Sequence, residues 1–167
     1  EEAVHRGLIK YIPDEIDKKF AEAAKTASIY KSRNVKIVYS CMHGVGSQSV
    51  LPVLKELGFN DIVLVENQMS LDGDFPNVKG QFPNPEFPIV YEDAIGLAKK
   101  TNADIVLLSD PDADRLGMAV PDREKNWYPL NGNQGAVLMT YFIMNTLSKN
   151  GKLPKNPVLV KTSVTTE

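Results

Sequence analysis

The sequence predicts an α/β fold, with three αβα layers around a mainly parallel sheet and an added antiparallel hairpin. Up to residue 108, short apolar segments alternate with amphipathic helical segments, which is typical of parallel strands covered by helices on both faces. After residue 115, two further apolar segments flank the charged turn Asp122-Arg123-Glu124-Lys125, which indicates a hairpin.

The elements follow in order along the chain. A first helix is expected after Pro13, because Ile16, Phe20, Ala23, Ala24 and Ala27 share one helical face behind an acidic first turn. The other predicted elements are strands at 35–39, 61–65, 104–108, 117–120, 126–130 and 158–160, and helices at 49–57, 91–101 and 131–147.

Composition narrows the class of protein. With 167 residues, 43% apolar, 24% charged and a net charge of −2, the chain is globular and has no electrostatic case for nucleic acid. Its most apolar stretch, 136–144, is far shorter than the roughly 20 residues that span a bilayer. The single Cys41 excludes an intrachain disulfide and fits a cytoplasmic location. Because the chain opens on Glu1-Glu2 without Met, we expect its natural start to be missing.

The most informative segment places Asp110, Asp112 and Asp114 at alternate positions directly after the apolar run 105–108. Two unit charges about 4 Å apart repel by about 4 kcal/mol at an effective dielectric near 20, so three convergent carboxylates require a cation. Arg115 alone cannot balance them. Hard oxygen ligands without nearby Cys or His favour Mg²⁺, completed by phosphate or water. The segment therefore predicts a phosphate-linked Mg²⁺ site.

The residues alone leave other interpretations of the acidic segment open. The simplest interpretation is an acidic turn that faces solvent. An EF-hand loop is excluded, because Arg115 stands where Gly is needed and Pro121 where Glu is needed. An aspartyl phosphatase would use Asp110 as nucleophile and Asp112 as acid and base. It would also need a downstream Lys and an acidic pair; the sequence after the hairpin offers lysines, Lys149 and Lys152 among them, but no acidic pair.

Two other loops are expected at the same edge of the sheet, because the carboxyl ends of parallel strands meet there. In His43-Gly44-Val45-Gly46, the glycines would let the backbone approach an anion or a neighbouring domain, although plain turn chemistry is the commoner explanation. We expect His43 to be a hydrogen-bonded structural residue with no catalytic role. The long loop 67–88 is expected to be functional, since loops of this length rarely lack a role.

Five motifs lie along the chain: His43-Gly44-Val45-Gly46, Asp72-Gly73-x-Phe75-Pro76, Pro83-Asn84-Pro85-Glu86, the segment from Asp110 to Gly117, and Asn131-Gly132-Asn133-Gln134. Together these motifs resemble the phosphoglucomutase/phosphomannomutase (phosphohexomutase) family. The last motif departs from the family, because Gly135 follows Gln134 directly where one residue usually intervenes.

The resemblance implies a piece of a four-domain enzyme: residues 1–131 would be the second, metal-binding domain and 132–167 the truncated start of the third. Mg²⁺ would be held by Asp110, Asp112 and Asp114 together with a phosphoserine oxygen from the first domain, and Arg115 would contact phosphate. Such enzymes are intramolecular phosphotransferases, classed as isomerases. They interconvert hexose 1-phosphate and hexose 6-phosphate through the phosphoserine and a sugar bisphosphate.

The resemblance also implies that the chain alone is inactive. No serine lies in the family's Thr-Ala-Ser-His-Asn-Pro setting; Thr26-Ala27-Ser28 is followed instead by Ile29-Tyr30. No catalytic residue is therefore assigned here. Asn84-Pro85-Glu86 resembles the phosphoglucomutase and phosphopentomutase branch of the family. We expect a phosphoglucomutase, while phosphomannomutase and phosphopentomutase stay open. A non-catalytic module that binds a cation or a partner protein is the remaining alternative.

Overall fold

The computed structural model describes residues 1–163 and contains one five-stranded sheet flanked by helices. The strands are Ile37–Ser40 (β1), Ile62–Leu64 (β2), Ile105–Ser109 (β3), Leu116–Pro121 (β4) and Trp127–Leu130 (β5). The α-helices are Glu2–His5 (α1), Glu15–Thr26 (α2), Val50–Glu56 (α3), Glu92–Thr101 (α4) and Gly132–Lys149 (α5).

The strands lie in the order β2-β1-β3-β4-β5. β1 pairs in parallel with β2 and β3, whereas β3–β4 and β4–β5 are antiparallel. The α/β class and the added hairpin are thus confirmed, but only the β2-β1-β3 half of the sheet is parallel. The acidic segment joins Ser109 of β3 to its paired residue Leu116 of β4, and this connection is too short for a parallel crossover of about a dozen residues.

Successive residues of β1 point to opposite faces of the sheet and build two cores. On one face, Val38 packs with Val106 of β3 and with Ala94 and Ala98 of α4. On the other face, Ile37, Tyr39 and Cys41 pack with Leu51 of α3. Because α3 and α4 cover opposite faces, the predicted three-layer arrangement is present.

Residues in the left-handed region end two of these helices. Gly58 follows α3 with φ +89°, as its position after the helical pattern predicts. Asn102 caps α4 with φ +52°, and its backbone N–H donates to the carbonyl group of Ala98. Both helices therefore stop where the chain must turn back to the sheet.

α2 forms as predicted, but its apolar face is not packed within the described residues. Ile16 is 48% exposed and Phe20 is 58% exposed, while Ala21 is the buried residue of this helix. α2 touches the sheet layer through α3, where Nζ of Lys25 lies 2.8 Å from Oε2 of Glu56. Periodicity identified the helix correctly, but it did not identify a partner for the apolar face.

The strand predicted at 158–160 is wrong. Val158, Leu159 and Val160 have no regular secondary structure and are 69–86% exposed. A strand needs the edge of a sheet to pair with, and these residues do not join the edge at β2 or β5. Residues 164–167 lie outside the described part of the chain.

α5 is longer than predicted, and most of its apolar surface is exposed. Its buried residue is Gly135, where a Cβ would lie 3.1 Å from Cε of Met118. Within residues 1–163, no helix has both the length and the apolar character needed to cross a membrane. The exposed apolar side chains of α5 are Val137, Leu138, Met139, Tyr141, Phe142 and Ile143.

The long loop 67–88 is fastened to the sheet by buried polar side chains. Gln68 is 1% exposed; its Oε1 accepts from Oγ of Ser40 at 2.6 Å and its Nε2 donates to the carbonyl group of Asn77 at 2.8 Å. Val78 is buried and Phe75 packs against the same core. The loop is therefore part of the packed structure, and its functional role stays a prediction.

Candidate metal centre

The connection between β3 and β4, residues 110–115, is here called the acidic loop, and it gathers the three aspartates. One carboxylate oxygen from each of Asp110, Asp112 and Asp114 lies within 4.8 Å of the others. Asp110 is fully buried, whereas Asp112 and Asp114 are exposed. The three aspartates, which alternate along the sequence, come close together because the chain reverses direction between β3 and β4.

Backbone hydrogen bonds impose that reversal. The N–H of Ala113 donates to the carbonyl group of Asp110 at 3.0 Å, and the N–H of Asp110 donates to the carbonyl group of Arg115 at 3.3 Å. Ala113 adopts φ +59°, a left-handed conformation that costs a residue with a Cβ about 1–2 kcal/mol. Favourable contacts in the rest of the fold must offset the conformational cost at Ala113.

Arg115 holds Asp110 with both its backbone and its side chain. Its backbone N–H donates to Oδ1 of Asp110 at 2.9 Å, and its Nε donates to Oδ2 at 2.6 Å. The same Nε lies 3.4 Å from Oδ1 of Asp114. These contacts use one edge of the half-exposed guanidinium group, so the terminal nitrogens make no hydrogen bond within the described residues.

The charges of the loop perturb one another. Burial, the largest single effect, acts to raise the pKa of the Asp110 carboxyl, but the hydrogen bonds and charge of Arg115 outweigh it and the net pKa is lowered. The pKa of Asp114 is raised, first by the negative charge of Asp112 and then by burial and by Asp110. The exposed carboxylates therefore repel each other, and a bound cation would relieve that repulsion.

The donor set fits a hard divalent cation. The gathered groups are carboxylates, and no His or Cys belongs to this cluster in the described part of the chain. Mg²⁺ is commonly held by one or two carboxylates, waters and a phosphate. The exposed edge of Arg115 carries N–H donors of the kind that phosphate oxygens accept from.

Residues 44–46 are here called the glycine loop. Close packing within the chain explains why its positions 44 and 46 are glycines. A Cβ on Gly44 would overlap the backbone of Pro111, and a Cβ on Gly46 would overlap the hydroxyl groups of Tyr39 and Ser109. Val45, between them, donates its N–H to the carbonyl group of Pro111 at 2.8 Å. Gly44 therefore approaches the acidic loop and Gly46 approaches side chains of β1 and β3, while an approach to an anion or a neighbouring domain stays a prediction.

His43 is 3% exposed and has φ +65°. Its Nδ1 lies 2.8 Å from the carbonyl group of Ser70, so Nδ1 carries the proton and donates it. Its Nε2 then accepts a long hydrogen bond of 3.4 Å from Nδ2 of Asn77. Both ring nitrogens face the long loop, which agrees with a structural role.

The Pro83-Asn84-Pro85-Glu86 segment lies beside the acidic loop. Pro85 is buried, and its carbonyl group accepts from the hydroxyl group of Tyr91 at 2.9 Å. Glu86 and Arg115 line one small cleft of about 150 Å³ that reaches Asn131 at the start of α5. Two sequence motifs that are far apart in the chain therefore border the same cavity.

The start of α5 contains a feature that the sequence analysis did not identify. Oδ1 of Asn131 accepts from the N–H of Gln134 at 2.9 Å, and Oε1 of Gln134 accepts from the N–H of Asn131 at 3.0 Å. This is a capping box, and its signal was available as a capping residue followed three positions later by Gln. The motif at 131–134 thus has a structural reason independent of any ligand.

Comparisons with known proteins agree with the fold. Residues 17–124 match the family described as "Phosphoglucomutase/phosphomannomutase, alpha/beta/alpha domain II". A phosphomannomutase from Mycoplasmoides pirum is 37% identical over 95% of this chain and 29% of its own length. A phosphoglucomutase from Staphylococcus epidermidis is 36% identical over 84% of this chain and 26% of its own length. The chain thus spans less than a third of these relatives.

A solved structure gives the same result for the architecture. A phosphoglucomutase/phosphomannomutase family protein from Burkholderia thailandensis superposes with a TM-score of 0.63 and 27% sequence identity. The match covers 81% of this chain and 26% of that protein. The sheet and its flanking helices therefore occur as one segment of a longer solved chain.

Proposed function

This chain belongs to the phosphoglucomutase/phosphomannomutase family, and on that premise we propose that it supplies the Mg²⁺-binding loop of a phosphohexomutase. The observation that carries the proposal is the approach of three carboxylate oxygens within 4.8 Å of one another, backed by Arg115. The reaction is the interconversion of hexose 1-phosphate and hexose 6-phosphate, with a sugar bisphosphate as the other phosphosugar partner.

Each residue of the acidic loop has a proposed role. Asp112 and Asp114 present exposed carboxylates to Mg²⁺, and buried Asp110 completes the set while it orients Arg115. When bound, the ion supplies positive charge that offsets charge on a transferring phosphoryl group. Arg115 binds phosphate oxygens through its terminal nitrogens. The phosphoserine is contributed by another part of the longer protein, so this chain contains no catalytic nucleophile.

The substrate class follows from the relatives, whose names include both phosphomannomutase and phosphoglucomutase. Glucose phosphate is our preferred substrate, because Asn84-Pro85-Glu86 resembles the branch that contains phosphoglucomutases and phosphopentomutases, and one relative is a phosphoglucomutase. Mannose and pentose phosphates are the alternatives. A cytoplasmic location belongs to the same proposal, since phosphosugar metabolism takes place there.

The proposal divides the chain after residue 131. Residues 1–131 form the metal-binding second domain, and 132–167 begin the third. Two observations support this division: the family match ends at residue 124, and α5 presents Val137, Leu138 and Tyr141 to solvent at 53–70% exposure. An apolar helix of this kind is normally covered by the remainder of its own domain.

An aspartyl phosphatase is less consistent with the geometry. Its nucleophile would be Asp110, which is fully buried and whose two carboxylate oxygens both accept hydrogen bonds from Arg115. A nucleophile needs room for an incoming phosphorus atom, whereas a metal ligand needs only the second lone pair of a carboxylate oxygen that already accepts one hydrogen bond. Burial therefore favours a binding and orienting role for this residue.

Calorimetric titration with Mg²⁺ tests the site on this chain. We expect the wild type to bind weakly, above micromolar Kd, because the ion lacks its phosphate ligand and keeps several waters. Asp112→Asn keeps the shape of the side chain and removes one anionic ligand, so affinity should fall at least about tenfold. Glu66→Gln, an exposed carboxylate outside the loop, is the control and should leave affinity unchanged.

Activity measurements separate the mutase from its rivals. In the longer protein that contains this segment, Asp112→Asn should reduce turnover by orders of magnitude while changing substrate binding much less. This chain alone, incubated with Mg²⁺ and a phosphate monoester, should release no phosphate. Hydrolysis that disappears in Asp110→Asn would favour the phosphatase, and full turnover of Asp112→Asn in the longer protein would show that this segment takes no part in catalysis.

A further inference from the structure

The acidic loop is fastened at its centre to the glycine loop. Pro111 lies between two of the aspartates, and its carbonyl group accepts a hydrogen bond of 2.8 Å from the N–H of Val45. The direction of that carbonyl fixes the peptide plane that follows Pro111, and hence the direction in which Asp112 leaves the backbone. One amide from a distant part of the chain thus constrains the neighbouring carboxylates.

Two further contacts show how closely the glycine loop packs against the acidic loop and the strands beneath it. Gly44 lies so near the backbone of Pro111 that a Cβ would overlap it, so a side chain at position 44 would separate the loops. Beneath the start of the acidic loop, the hydroxyl groups of Tyr39 and Ser109 lie 2.8 Å apart, and both residues are buried. Gly46 packs directly on this pair.

We propose that the glycine loop is a positioning device for the metal centre, acting through the hydrogen bond from Val45 to Pro111. This inference rests on the proposed function, because it assumes that the gathered carboxylates bind a divalent cation. The three carboxylates repel one another, so without the hydrogen bond from Val45 the acidic loop would open and the carboxylates would move apart. Folding holds the loop closed before the ion arrives, and preorganisation of this kind increases affinity.

Thermodynamic linkage makes the coupling between the hydrogen bond and ion binding reciprocal. If the Val45 hydrogen bond increases ion affinity by some factor, the bound ion must stabilise that hydrogen bond by the same factor. A merely structural hydrogen bond has no such coupling, since its loss would lower the stability of the fold and leave the affinity of the folded protein unchanged. The coupling can therefore be measured from both sides.

Val45→Pro removes the N–H, and the Cδ atom of proline takes the place of the amide hydrogen, so the carbonyl group of Pro111 must also move away. Gly44 has φ −99° and ψ −174°, an extended conformation that suits a residue before proline, and Val45 begins a 3-10 turn where proline is tolerated. Val45→Ala is the matched control, because it also shortens the 41% exposed side chain but keeps the N–H. Relative to Val45→Ala, Val45→Pro should weaken Mg²⁺ binding roughly threefold to tenfold by calorimetry.

Amide hydrogen exchange on the wild type gives the second readout. Saturation with Mg²⁺ should increase protection of the Val45 amide by a factor comparable to the loss of affinity in Val45→Pro. The amide of Val65, which donates to the carbonyl group of Tyr39 at 3.0 Å, is the internal control and should change less. This measurement decides the question if Val45→Pro does not fold.

The outcomes separate the two proposals. If Asp112→Asn weakens binding but Val45→Pro and Val45→Ala bind Mg²⁺ equally, the positioning role is wrong and the metal site stands. Unchanged protection of the Val45 amide on Mg²⁺ binding would also overturn the positioning role. If the wild type binds no Mg²⁺, or Asp112→Asn binds as tightly as the wild type, the metal site fails and the positioning role fails with it.

Discussion

The Cα atom of Gly117 lies against the phenol of Tyr91, and a Cβ at position 117 would overlap the hydroxyl group of that tyrosine. The same hydroxyl group donates to the carbonyl group of Pro85 at 2.9 Å. Gly117 pairs with Leu108 in the sheet, so β4, the start of α4 and the Pro83-Asn84-Pro85-Glu86 segment meet beside the acidic loop. A small residue at this point lets three parts of the chain approach each other.

Gly117→Ala should therefore lower the free energy of unfolding by about 1–3 kcal/mol, because the added methyl group overpacks a buried contact. Gly96→Ala is a control of opposite sign. It lies inside α4 with no atom within 4 Å of the added Cβ, and should raise stability by about 0.5–1 kcal/mol. Urea denaturation measures both, and equal stability of the two variants would contradict the packing argument.

Alkaline pH should destabilise the fold through two buried tyrosines. Burial raises the pKa of Tyr39 and of Tyr91 from 10.0 to about 12. In the unfolded chain both groups ionise from about pH 10, so the stability they contribute is complete below that pH and is lost as pH rises towards 12. Urea denaturation across this window, with tyrosinate absorbance recorded, checks the loss.

Tyr91→Phe provides the test of that assignment. Its stability should fall less steeply above pH 10, because one of the two ionisable groups is gone. Tyr11→Phe replaces an 83% exposed tyrosine and should keep the steep wild-type dependence. The assignment to buried tyrosines is wrong if both variants lose stability in parallel.

Asp110→Asn should destabilise the chain even without an ion. The buried carboxylate accepts two hydrogen bonds from Arg115, and charged hydrogen bonds of this kind contribute about 1.5–3 kcal/mol. Asp112→Asn, in contrast, removes a charge that raises the pKa of Asp114, so it should leave stability equal or slightly higher. Chemical denaturation at neutral pH compares the two variants, and a larger loss in Asp112→Asn would refute the assigned roles.

α5 should exchange its amide hydrogens faster than β3 in a monomeric chain, because its apolar face lacks cover. Asn131→Ala removes the capping box and should accelerate exchange in the first turn, at a cost of about 0.5–2 kcal/mol to the helix. Asn131→Ser keeps a capping oxygen and should retain most of the protection. Protection in α5 equal to that of Ile105–Ser109 would show that the helix is anchored without further partners.

Sequence alone predicted the elements whose pattern is local. The strands around Val38 and Val106 were correctly predicted, because apolar runs of this length are buried wherever they lie in an α/β sheet. The acidic loop was identified from charge spacing, since like charges in alternation are costly without a partner. Local chemistry was sufficient to predict the strands and the convergence of the carboxylates, while the bound ion stays a prediction.

Features that depend on a distant partner were not predicted. Residues 158–160, which were expected to be a strand, join neither edge of the sheet, and Phe20 is exposed because α2 covers little of the core. The reason for Gly44 is the backbone of Pro111, a contact that no sequence window contains. Each of these depends on what packs against the residue, and hydrophobic periodicity carries no such information.

The hydroxyl pair beneath the acidic loop joins residues that are 70 positions apart, and this has a consequence for folding kinetics. Contacts of high sequence separation form late, because a long loop must close before they stabilise anything. β3 must therefore be synthesised and must pair with β1 before the glycine loop can hold the carboxylates in place. Partly folded chains should have little affinity for the ion. Ion binding should consequently slow global unfolding more than it accelerates the early steps of folding.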